Sequence, residues 1–455
     1  MPKNLLFDEF SSVSAKAWKQ KIQFDLKGED YNKTLVWESL EGIKVKPFYH
    51  SDDNVNTPSN LKSISGWSIG QSIYVANTKA SNKRAKELIA NGAEALYISI
   101  PSKKIAISEV LDEIELKNIK IYLELQFLSA TYTKSILNFI KDAKENCYLN
   151  IDPIGNIART GNWFYDYKKD YEVLNSILEI SNYNTLSIDV SLYQNAGANR
   201  VQQLAYALAH ANEYLNLMNG NKSNSTITFK IAVDTNYFFE IAKIRALRLL
   251  YATLAKEYKF AENCNIVAIP TRRNKTIYDY NTNMLRTTTE CMSAILGGVD
   301  TICNMPYDAI YHKENEFGNR IALNQLLVLK NESYFDKVDN PSDGAYYIES
   351  LTEQLAEKSL ALFKSIEKGG GFLKQLKEHT IQKKIKESAK KEQELFNIGE
   401  EVLIGTNNYI NDNDKMKDTM QLYPFVKKKE RKTLLEPIIE RRLAEQVEQK
   451  RLNDE

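Results

Sequence analysis

An alternation of short apolar runs with longer amphipathic segments most constrains how this 455-residue chain folds. The runs are rich in β-branched and aliphatic residues, and the segments between them have the period of an α-helix. Parallel strands need helical crossovers of this kind, so the pattern predicts an α/β fold with a parallel sheet. Eight runs over roughly 250 residues favour a closed (β/α)8 TIM barrel over an open sheet. The predicted strands are Ser72–Ala76, Ala95–Ile100, Ile119–Glu124, Cys147–Ile151, Leu186–Val190, Ile227–Ala232, Ile266–Ile269 and Thr301–Met305.

Segments of a different character flank the predicted barrel. Phe7–Leu26 has apolar residues at helical spacing, Trp37–Tyr49 is predicted to be extended, and Ser51–Asn60 is a polar loop. This N-terminal arm either packs on its own domain or wraps a partner. After the turn signal Asn340–Gly344, Tyr346–Ile366 and Phe372–Leu395 predict two helices. We therefore expect an N-terminal arm at 1–60, a barrel at 61–340, a C-terminal helical extension at 341–411, and a linker with a charged tail at 412–455.

Two motifs after the barrel have plain structural interpretations. Gly369–Gly371 is not preceded by a strand or followed by the GK[ST] of a phosphate loop, so it predicts a turn between helices. The basic run Lys427–Lys432 is typical of a solvated helical face. The tail also contains an apolar stripe that is suited to docking on another surface. Its members are Leu434, Leu435, Ile438, Ile439, Leu443 and Val447.

Composition excludes several classes of protein. The net charge of +1 gives no bulk argument for nucleic acid or an anionic membrane as partner. We expect no membrane span and no signal peptide, because the chain has no run of about 18 apolar residues and its first ten residues include no apolar core. The four cysteines form no CxxC motif, which predicts reduced, buried thiols in a cytoplasmic protein. The four histidines have no metal-ligand spacing.

Side chains at the carboxyl ends of barrel strands form the mouth where barrel enzymes place their chemistry. Here the predicted ends are polar, and none of them carries a histidine for proton transfer near neutral pH. Lys103–Lys104 and Arg272–Arg273 suit either an anion or a solvated rim. Asp152 and Asp234 suit either a carboxylate pair or helix capping. The scaffold is therefore clearer than the activity.

Several motifs, in order and at matching spacing, resemble the substrate-binding barrel of the methylmalonyl-CoA mutase family over about residues 17–450. The resemblance implies a (β/α)8 barrel preceded by an arm, in agreement with the strand pattern. The motifs are EGIKVKPFY at Glu41–Tyr49, GWSIGQS at Gly66–Ser72 with ASN at Ala80–Asn82, IDVSLYQNAGA at Ile188–Ala198, YNTNMLRTTTECMSAI at Tyr280–Ile295, NPSDGAYYIESLT at Asn340–Thr352 and IEKGGG at Ile366–Gly371.

The family chemistry implied is the rearrangement of methylmalonyl-CoA to succinyl-CoA with adenosylcobalamin, and the CoA chain runs down the barrel axis. Catalytic members have W-[TS]-I-R-Q-Y near the first strand and G-Y-H-M-Q-E-A-G-A after the fifth. Here Gly70 and Ser72 stand in place of the arginine and tyrosine, and Leu192 in place of the histidine. Leucine donates no hydrogen bond to a thioester oxygen. We therefore predict no catalytic residue on this chain and, at Leu192, an apolar plug in the mouth.

The family holds its corrinoid in a C-terminal domain with a D-x-H-x-x-G motif. No histidine here has an aspartate two positions before it, and the sequence stops where that domain would begin. The resemblance implies a small, non-catalytic, cytoplasmic subunit that stabilises a large catalytic chain in a heterodimer. That partner would bind adenosylcobalamin and the acyl-CoA substrate, with no cofactor or metal on this chain. Two alternatives remain: a competent acyl-CoA-binding barrel that uses a corrinoid domain on a separate chain, and a solitary barrel with a new ligand.

Overall fold

The computed structural model describes residues 9–53, 66–181, 184–218, 226–427 and 430–455. Parts of three predicted segments lie outside these ranges. They are Phe7 and Asp8 of the predicted arm helix, residues 54–60 of the polar loop, and Lys428 and Lys429 of the basic run. The helix predicted for the basic run is wrong, because its described residues, 427 and 430–432, are not helical. The described helices include none that is long and apolar enough to cross a bilayer.

The N-terminal arm consists of two short helices and a two-stranded antiparallel hairpin. Ser14 caps the first helix, in which no side chain is buried, and Asp30 caps the second. The hairpin docks on the barrel through Ile43, which is fully buried. The elements are α1 (Ala15–Asp25), α2 (Tyr31–Leu35), β1 (Trp37–Glu38) and β2 (Lys44–Val45).

Eight parallel strands form the central sheet in the order β6-β5-β4-β3-β10-β9-β8-β7. A parallel bridge between Ile151 and Leu186 joins the two outer strands, so the sheet is closed almost completely. The predicted (β/α)8 barrel is confirmed. The strands are β3 (Ser68–Tyr74), β4 (Ala95–Ile100), β5 (Lys120–Leu125), β6 (Cys147–Asn150), β7 (Ser187–Asp189), β8 (Thr228–Val233), β9 (Asn265–Pro270) and β10 (Thr301–Cys303).

Helices cover the outside of this sheet, and polar caps fix where many of them begin. Asn77, Ser129, Asp152 and Asn199 each accept a backbone N–H of the first helical turn. The helices are α3 (Thr78–Ala90), α4 (Ile107–Val110), α5 (Ala130–Phe139), α6 (Pro153–Thr160), α7 (Tyr167–Ile180), α8 (Ser191–Asn195), α9 (Arg200–Leu217), α10 (Tyr237–Glu257), α11 (Thr282–Gly297) and α12 (Glu316–Asn331).

The first barrel strand begins four residues earlier than predicted, at Ser68 instead of Ser72. Ile69 and Ile73 are buried on the outward face of this strand. The residues that alternate with them and point into the barrel are small or polar. The inward residues hid the start of the strand because they break the apolar run. Gly70 and Ser72 therefore lie within β3.

The helical extension consists of α13 (Tyr346–Lys368), α14 (Phe372–Lys377) and α15 (Thr380–Ile398). Gly370 and Gly371 have positive φ between α13 and α14, which confirms the predicted helix–helix turn. The single helix predicted over Phe372–Leu395 is wrong. His379 has a φ of 61° and separates α14 from α15, because a left-handed residue ends a helix.

Residues 433–444, which we call the strap, cross one side of the barrel mouth without forming a helix. Its backbone N–H groups donate to carbonyls of α6, α8 and the loop after β9, as in Ile438 to Ala158 at 2.8 Å and Leu443 to Arg273 at 2.8 Å. Leu435, Ile438 and Leu443 of the predicted apolar stripe are buried, whereas Leu434 and Ile439 are exposed. Helix α16 (Glu445–Asp454) follows the strap.

Candidate functional site

A cavity of about 550 Å³ opens at the carboxyl ends of the barrel strands. Charged and polar side chains line much of it, and the strap contributes Glu440 to its rim. This volume falls in the range of small-molecule sites in proteins. We call it the mouth cavity.

Lys230 is the central charge of the mouth cavity. Its Nζ lies 3.2 Å from Glu124 Oε1 and 3.6 Å from Asp189 Oδ2, and 4.8 Å from the centre of the Tyr97 ring. Burial by itself lowers the pKa of this amine, but the two carboxylates outweigh burial and hold the pKa well above its ordinary value. Lys230 therefore carries a positive charge inside the barrel.

Arg159 extends this network to the strap. Its guanidinium binds Asp189 at 2.6 Å and Glu440 at 2.5 Å. Burial raises the pKa of Asp189, but Lys230 and Arg159 outweigh it and lower that pKa to about 2. The network joins strands β5, β7 and β8 to helix α6 and the strap through alternating charges.

Three tyrosines fill the barrel axis beneath these charges. Tyr97 and Tyr122 stack with ring centres 6.0 Å apart, and Tyr122 and Tyr148 stack at 4.7 Å. Tyr122 is fully buried, and its hydroxyl lies 2.9 Å from Thr301 Oγ1 on the far side of the barrel. At this level the side chain of Tyr122 therefore spans the interior of the barrel.

A second polar network fixes the helices beside the mouth. His210 is fully buried on α9, with Nε2 2.9 Å from Asp152 Oδ1 and Nδ1 3.0 Å from the Tyr193 hydroxyl. Tyr214 donates to the same Asp152 oxygen at 2.7 Å. Phe372 stacks on the imidazole at 5.3 Å. This histidine ties α6, α8 and α9 together and is closed to solvent.

The structure separates the predicted carboxylate pair. Asp152 caps α6 and binds His210, while Asp234 lies 3.7 Å from Arg200. The paired residues Arg272 and Arg273, which suited either an anion or a solvated rim, also face different surroundings. Arg272 lines the mouth cavity, whereas Arg273 points to Glu392 and to the strap.

The sequence interpretation missed the charges inside the barrel. Asp189 and Lys230 sit within runs that were assigned as apolar strands, and they are register partners on β7 and β8. Glu124 pairs in the same way with Asn150. A charged residue within each otherwise apolar barrel strand is the signal that would have found them, because charges are rarely buried without a partner.

A family model described as methylmalonyl-CoA mutase matches residues 105–454, which is most of the chain. The chain belongs to the methylmalonyl-CoA mutase family. The methylmalonyl-CoA mutase small subunit of Porphyromonas gingivalis is 33% identical over 90% of this chain and 72% of that protein. The methylmalonyl-CoA mutase of Cereibacter sphaeroides is 28% identical over 86% of this chain and 64% of its own length. The small subunit of Streptomyces virginiae is 27% identical over 80% and 65%. The chain thus spans about two thirds of the length of these relatives.

The three positions singled out against the mutase pattern occupy different surroundings. A Cβ on Gly70 would lie 2.5 Å from Cys303 Sγ and 2.9 Å from Thr301 Cγ2, so the site has no room for an arginine as packed. Ser72 is exposed on the inward face of β3, opposite Tyr97 in register. Leu192 is buried in the main hydrophobic core and does not line the mouth cavity.

The prediction that Leu192 forms an apolar plug in the mouth is therefore wrong. Leu192 belongs to the short helix α8, and its side chain is buried in the main hydrophobic core. Its neighbours Ser191 and Asn195 line the cavity instead. The mouth is open and charged, and the closure lies deeper, at the stacked tyrosines.

Proposed function

We propose that this chain is the small, non-catalytic subunit of an adenosylcobalamin-dependent methylmalonyl-CoA mutase, that it is cytoplasmic, and that it forms a heterodimer with a large catalytic chain. The observation that carries this proposal is the stack of Tyr97, Tyr122 and Tyr148 across the barrel axis. A catalytic barrel of this family passes the CoA chain along that axis. Here aromatic rings and the Tyr122–Thr301 hydrogen bond occupy the path.

The mutase positions at 70, 72 and 192 support the same conclusion. The packing of Gly70 against Cys303 leaves no space for a substrate-binding arginine. Leu192 is buried in the main hydrophobic core and does not line the mouth cavity. Turnover by this chain would need a different packing of β3, α8 and the barrel axis.

The described residues at the mouth do not fit a corrinoid. Both ring nitrogens of His210 are directed at protein groups, and Phe372 covers the ring. The strap crosses one side of the opening and is bound there by backbone hydrogen bonds. We therefore assign both adenosylcobalamin and the acyl-CoA to the large chain.

The N-terminal arm supplies a surface for that partner. The hairpin half of the arm is fixed to the barrel, since Glu41 binds Arg200 at 3.1 Å and Ile43 is fully buried. The other half is different, because α1 buries no residue and leaves Trp18 and Phe24 exposed. Aromatic side chains are enriched at protein interfaces relative to the rest of the surface.

Co-expression with the large chain tests the proposal. We expect the two chains to co-purify as a 1:1 complex that interconverts methylmalonyl-CoA and succinyl-CoA, and the large chain to lose solubility or activity without its partner. The isolated small chain should show no turnover with adenosylcobalamin. Turnover by this chain after addition of only a corrinoid-domain protein would contradict the proposal and support a competent barrel.

A further inference from the structure

A groove of about 380 Å³ runs between helix α15 and the strap. The lining residues of α15 extend from Gln382 to Gln393, a length of about 16 Å at the 1.5 Å rise of an α-helix. Strap residues between Glu436 and Arg442 form the opposite wall. None of the described residues lines both this groove and the mouth cavity. We call it the strap groove.

The two walls of the strap groove are fixed to each other. Gln382 on α15 donates through Nε2 to the carbonyl oxygen of Glu436 on the strap, at 2.9 Å. Lys386 forms an ion pair with the carboxylate of the same Glu436. Arg273 donates to the carbonyl oxygen of Arg441 at 2.8 Å and holds that end of the strap. The groove is therefore preformed, which favours docking because little has to be reordered.

Apolar side chains form the floor and one edge of the strap groove. Ile385 and Ile438 are buried at its floor. Ile439 remains 52% exposed at its edge, and Ala389 and Pro437 are partly exposed. The apolar stripe predicted in the tail thus divides, since one isoleucine packs on the barrel and its neighbour faces solvent. Grooves of this kind receive the apolar side of an amphipathic helix in many protein complexes.

Positive charge predominates around the strap groove. Five of its lining side chains are cationic and two are carboxylates. Of the two carboxylates, Glu445 is buried and accepts the N–H of Val426, while Glu436 is partly exposed. An occupant with acidic side chains along its edges therefore complements this surface. The cations are Arg273, Lys386, Lys390, Arg441 and Arg442.

Two cations of the rim are open to an incoming carboxylate. The side chain of Lys390 is 79% exposed, and Glu394 lies 3.7 Å from it, one turn along the same helix. The side chain of Arg441 is 55% exposed and lies 3.7 Å from Glu445. Ion pairs of exposed side chains contribute little to stability. A carboxylate of a partner can therefore take up these cations at little cost to the fold.

The strap groove lies next to the N-terminal arm. The first turn of α9 carries Arg200, which binds Glu41 of the arm at 3.1 Å. Two residues further on, Gln202 donates through Nε2 to the carbonyl oxygen of Lys384 on α15, at 3.1 Å. The arm and the wall of the groove are thus attached to the same helical turn. A partner that contacts the arm is therefore close to the groove as well.

We propose that the strap groove receives an acidic amphipathic helix of the large chain. The apolar side of that helix packs on Ile385, Ile438 and Ile439. Its carboxylates lie against Lys390 and Arg441. The inference rests on the proposed subunit role and deepens it, because it names a second contact surface and the chemistry of the partner segment.

Hydrogen exchange of the two-chain complex tests the inference. Residues 382–393 and 436–446 should exchange more slowly in the complex than in the isolated chain, because the occupant covers them. If the complex forms and both segments exchange as they do in the isolated chain, the groove inference fails and the subunit proposal stands. If the large chain forms no complex with this one, both proposals fail.

Charge reversal at Lys390 tests the rim. Lys390→Glu should slow the association of the two chains about tenfold at low salt and weaken the dependence of the rate on ionic strength, because an attraction becomes a repulsion. Lys83→Glu is the matched control, since the Lys83 side chain is 82% exposed and Glu87 lies one turn along α3. It should associate at the original rate. An unchanged rate for Lys390→Glu, or an equal loss in the control, would contradict an acidic occupant.

Ile439 tests the apolar edge. Ile439→Ser should raise the Kd of the complex at least about threefold, because the exposed surface of the isoleucine is no longer buried on docking. Val328→Ser on α12 is the control, since Val328 is exposed to a similar degree and does not line the groove. An unchanged Kd for Ile439→Ser would overturn the docking of an apolar helix face.

Two other occupants of the strap groove would give different results. A second copy of the chain would appear as a dimer in light scattering of the isolated chain, and Ile439→Ser would dissociate it. An anionic amphiphile would stay bound to the isolated chain in native mass spectrometry, and the same substitution would release it. We expect the isolated chain to be a monomer with the mass of its sequence. Either of the other results would overturn the proposal.

Discussion

Tyr122 and Tyr148 stack inside the barrel, with ring centres 4.7 Å apart and planes tilted by 18°. The two residues are register partners on the adjacent strands β5 and β6, so the stack follows directly from strand pairing. Offset-stacked rings contribute free energy beyond the burial of their area. The stack stabilises the barrel and fills part of its interior.

Replacement of Tyr122 by alanine should therefore be costly. The substitution removes a fully buried ring and the hydrogen bond to Thr301, and we expect a loss of about 3–5 kcal/mol in the free energy of unfolding. Urea unfolding followed by circular dichroism measures it. The exposed Tyr74 on β3 provides the control, and Tyr74→Ala should change stability by about 0.5 kcal/mol or less. Equal effects at the two sites would show that the axis is not a packed core.

Glu41 anchors the hairpin half of the arm. It is buried and binds Arg200, which also pairs with Glu240 at 2.8 Å. Glu41→Ala should cost about 2 kcal/mol, below the usual loss for a broken buried pair, because Arg200 keeps Glu240. Hydrogen exchange should accelerate over residues 31–49. Asp25→Ala breaks the exposed pair with Lys21 and should have little effect. Unchanged exchange in the Glu41 variant would contradict this anchoring.

The strap can be loosened at Gly161. This residue has a φ of 78°, and a Cβ on it would lie 2.5 Å from the carbonyl oxygen of Leu435. Gly161→Ala should cost about 2–3 kcal/mol and increase hydrogen exchange in the strap. Gly344→Ala is the matched control, because Gly344 has a φ of 79° and no neighbour within 4 Å. It should cost only the backbone strain of about 1 kcal/mol. Identical losses in the two variants would argue against a contact between the strap and α6.

Glu401 gives the stability a defined pH dependence. Burial first, and repulsion by Asp234 and Glu392, raise its pKa from 4.5 to about 7. The folded chain therefore holds this proton more tightly than the unfolded chain. The associated stabilisation is complete below pH 4.5 and is lost as the pH rises through 7.

The variant Glu401→Gln mimics the protonated form. It should match the original chain near pH 4.5 and exceed its stability by about 2 kcal/mol at pH 8. Thermal or urea unfolding across this range measures the difference. Glu400→Gln, at the exposed neighbouring position, should change stability by about 0.5 kcal/mol or less. A constant difference for the Glu401 variant would mean that this carboxyl titrates normally.

Helix α1 offers a test of the partner surface. Trp18→Ser with Phe24→Ser should leave the stability of the isolated chain within about 0.5 kcal/mol, since both side chains are exposed. The same double variant should reduce co-purification with the large chain. The exposed Phe317 on α12 supplies a control of similar character. If Phe317→Ser impairs co-purification as much as the double variant does, the arm has no special role in assembly.

Strand and helix alternation was sufficient to predict the barrel, because buried parallel strands are apolar on both faces. Prediction failed where an inward face was not apolar. The small and polar residues of β3 concealed its first residues. Lys230 lies within a run that was assigned as apolar. The break at His379 was also hidden, since nothing in local composition requires a left-handed residue there.

The sequence by itself determined the barrel, the glycine turn before α14 and the family, because these depend on periodicity, local backbone freedom and ordered motifs. Only the tertiary structure decided what the mouth contains. Leu192 is one residue from Ser191, yet it packs into the core while Ser191 lines the cavity. Residues far apart in the chain are brought together by three features of the fold. These are the directions of the side chains in α8, the register between the strands and the path of the strap. Those three-dimensional relations place charges at the mouth and tyrosines on the axis.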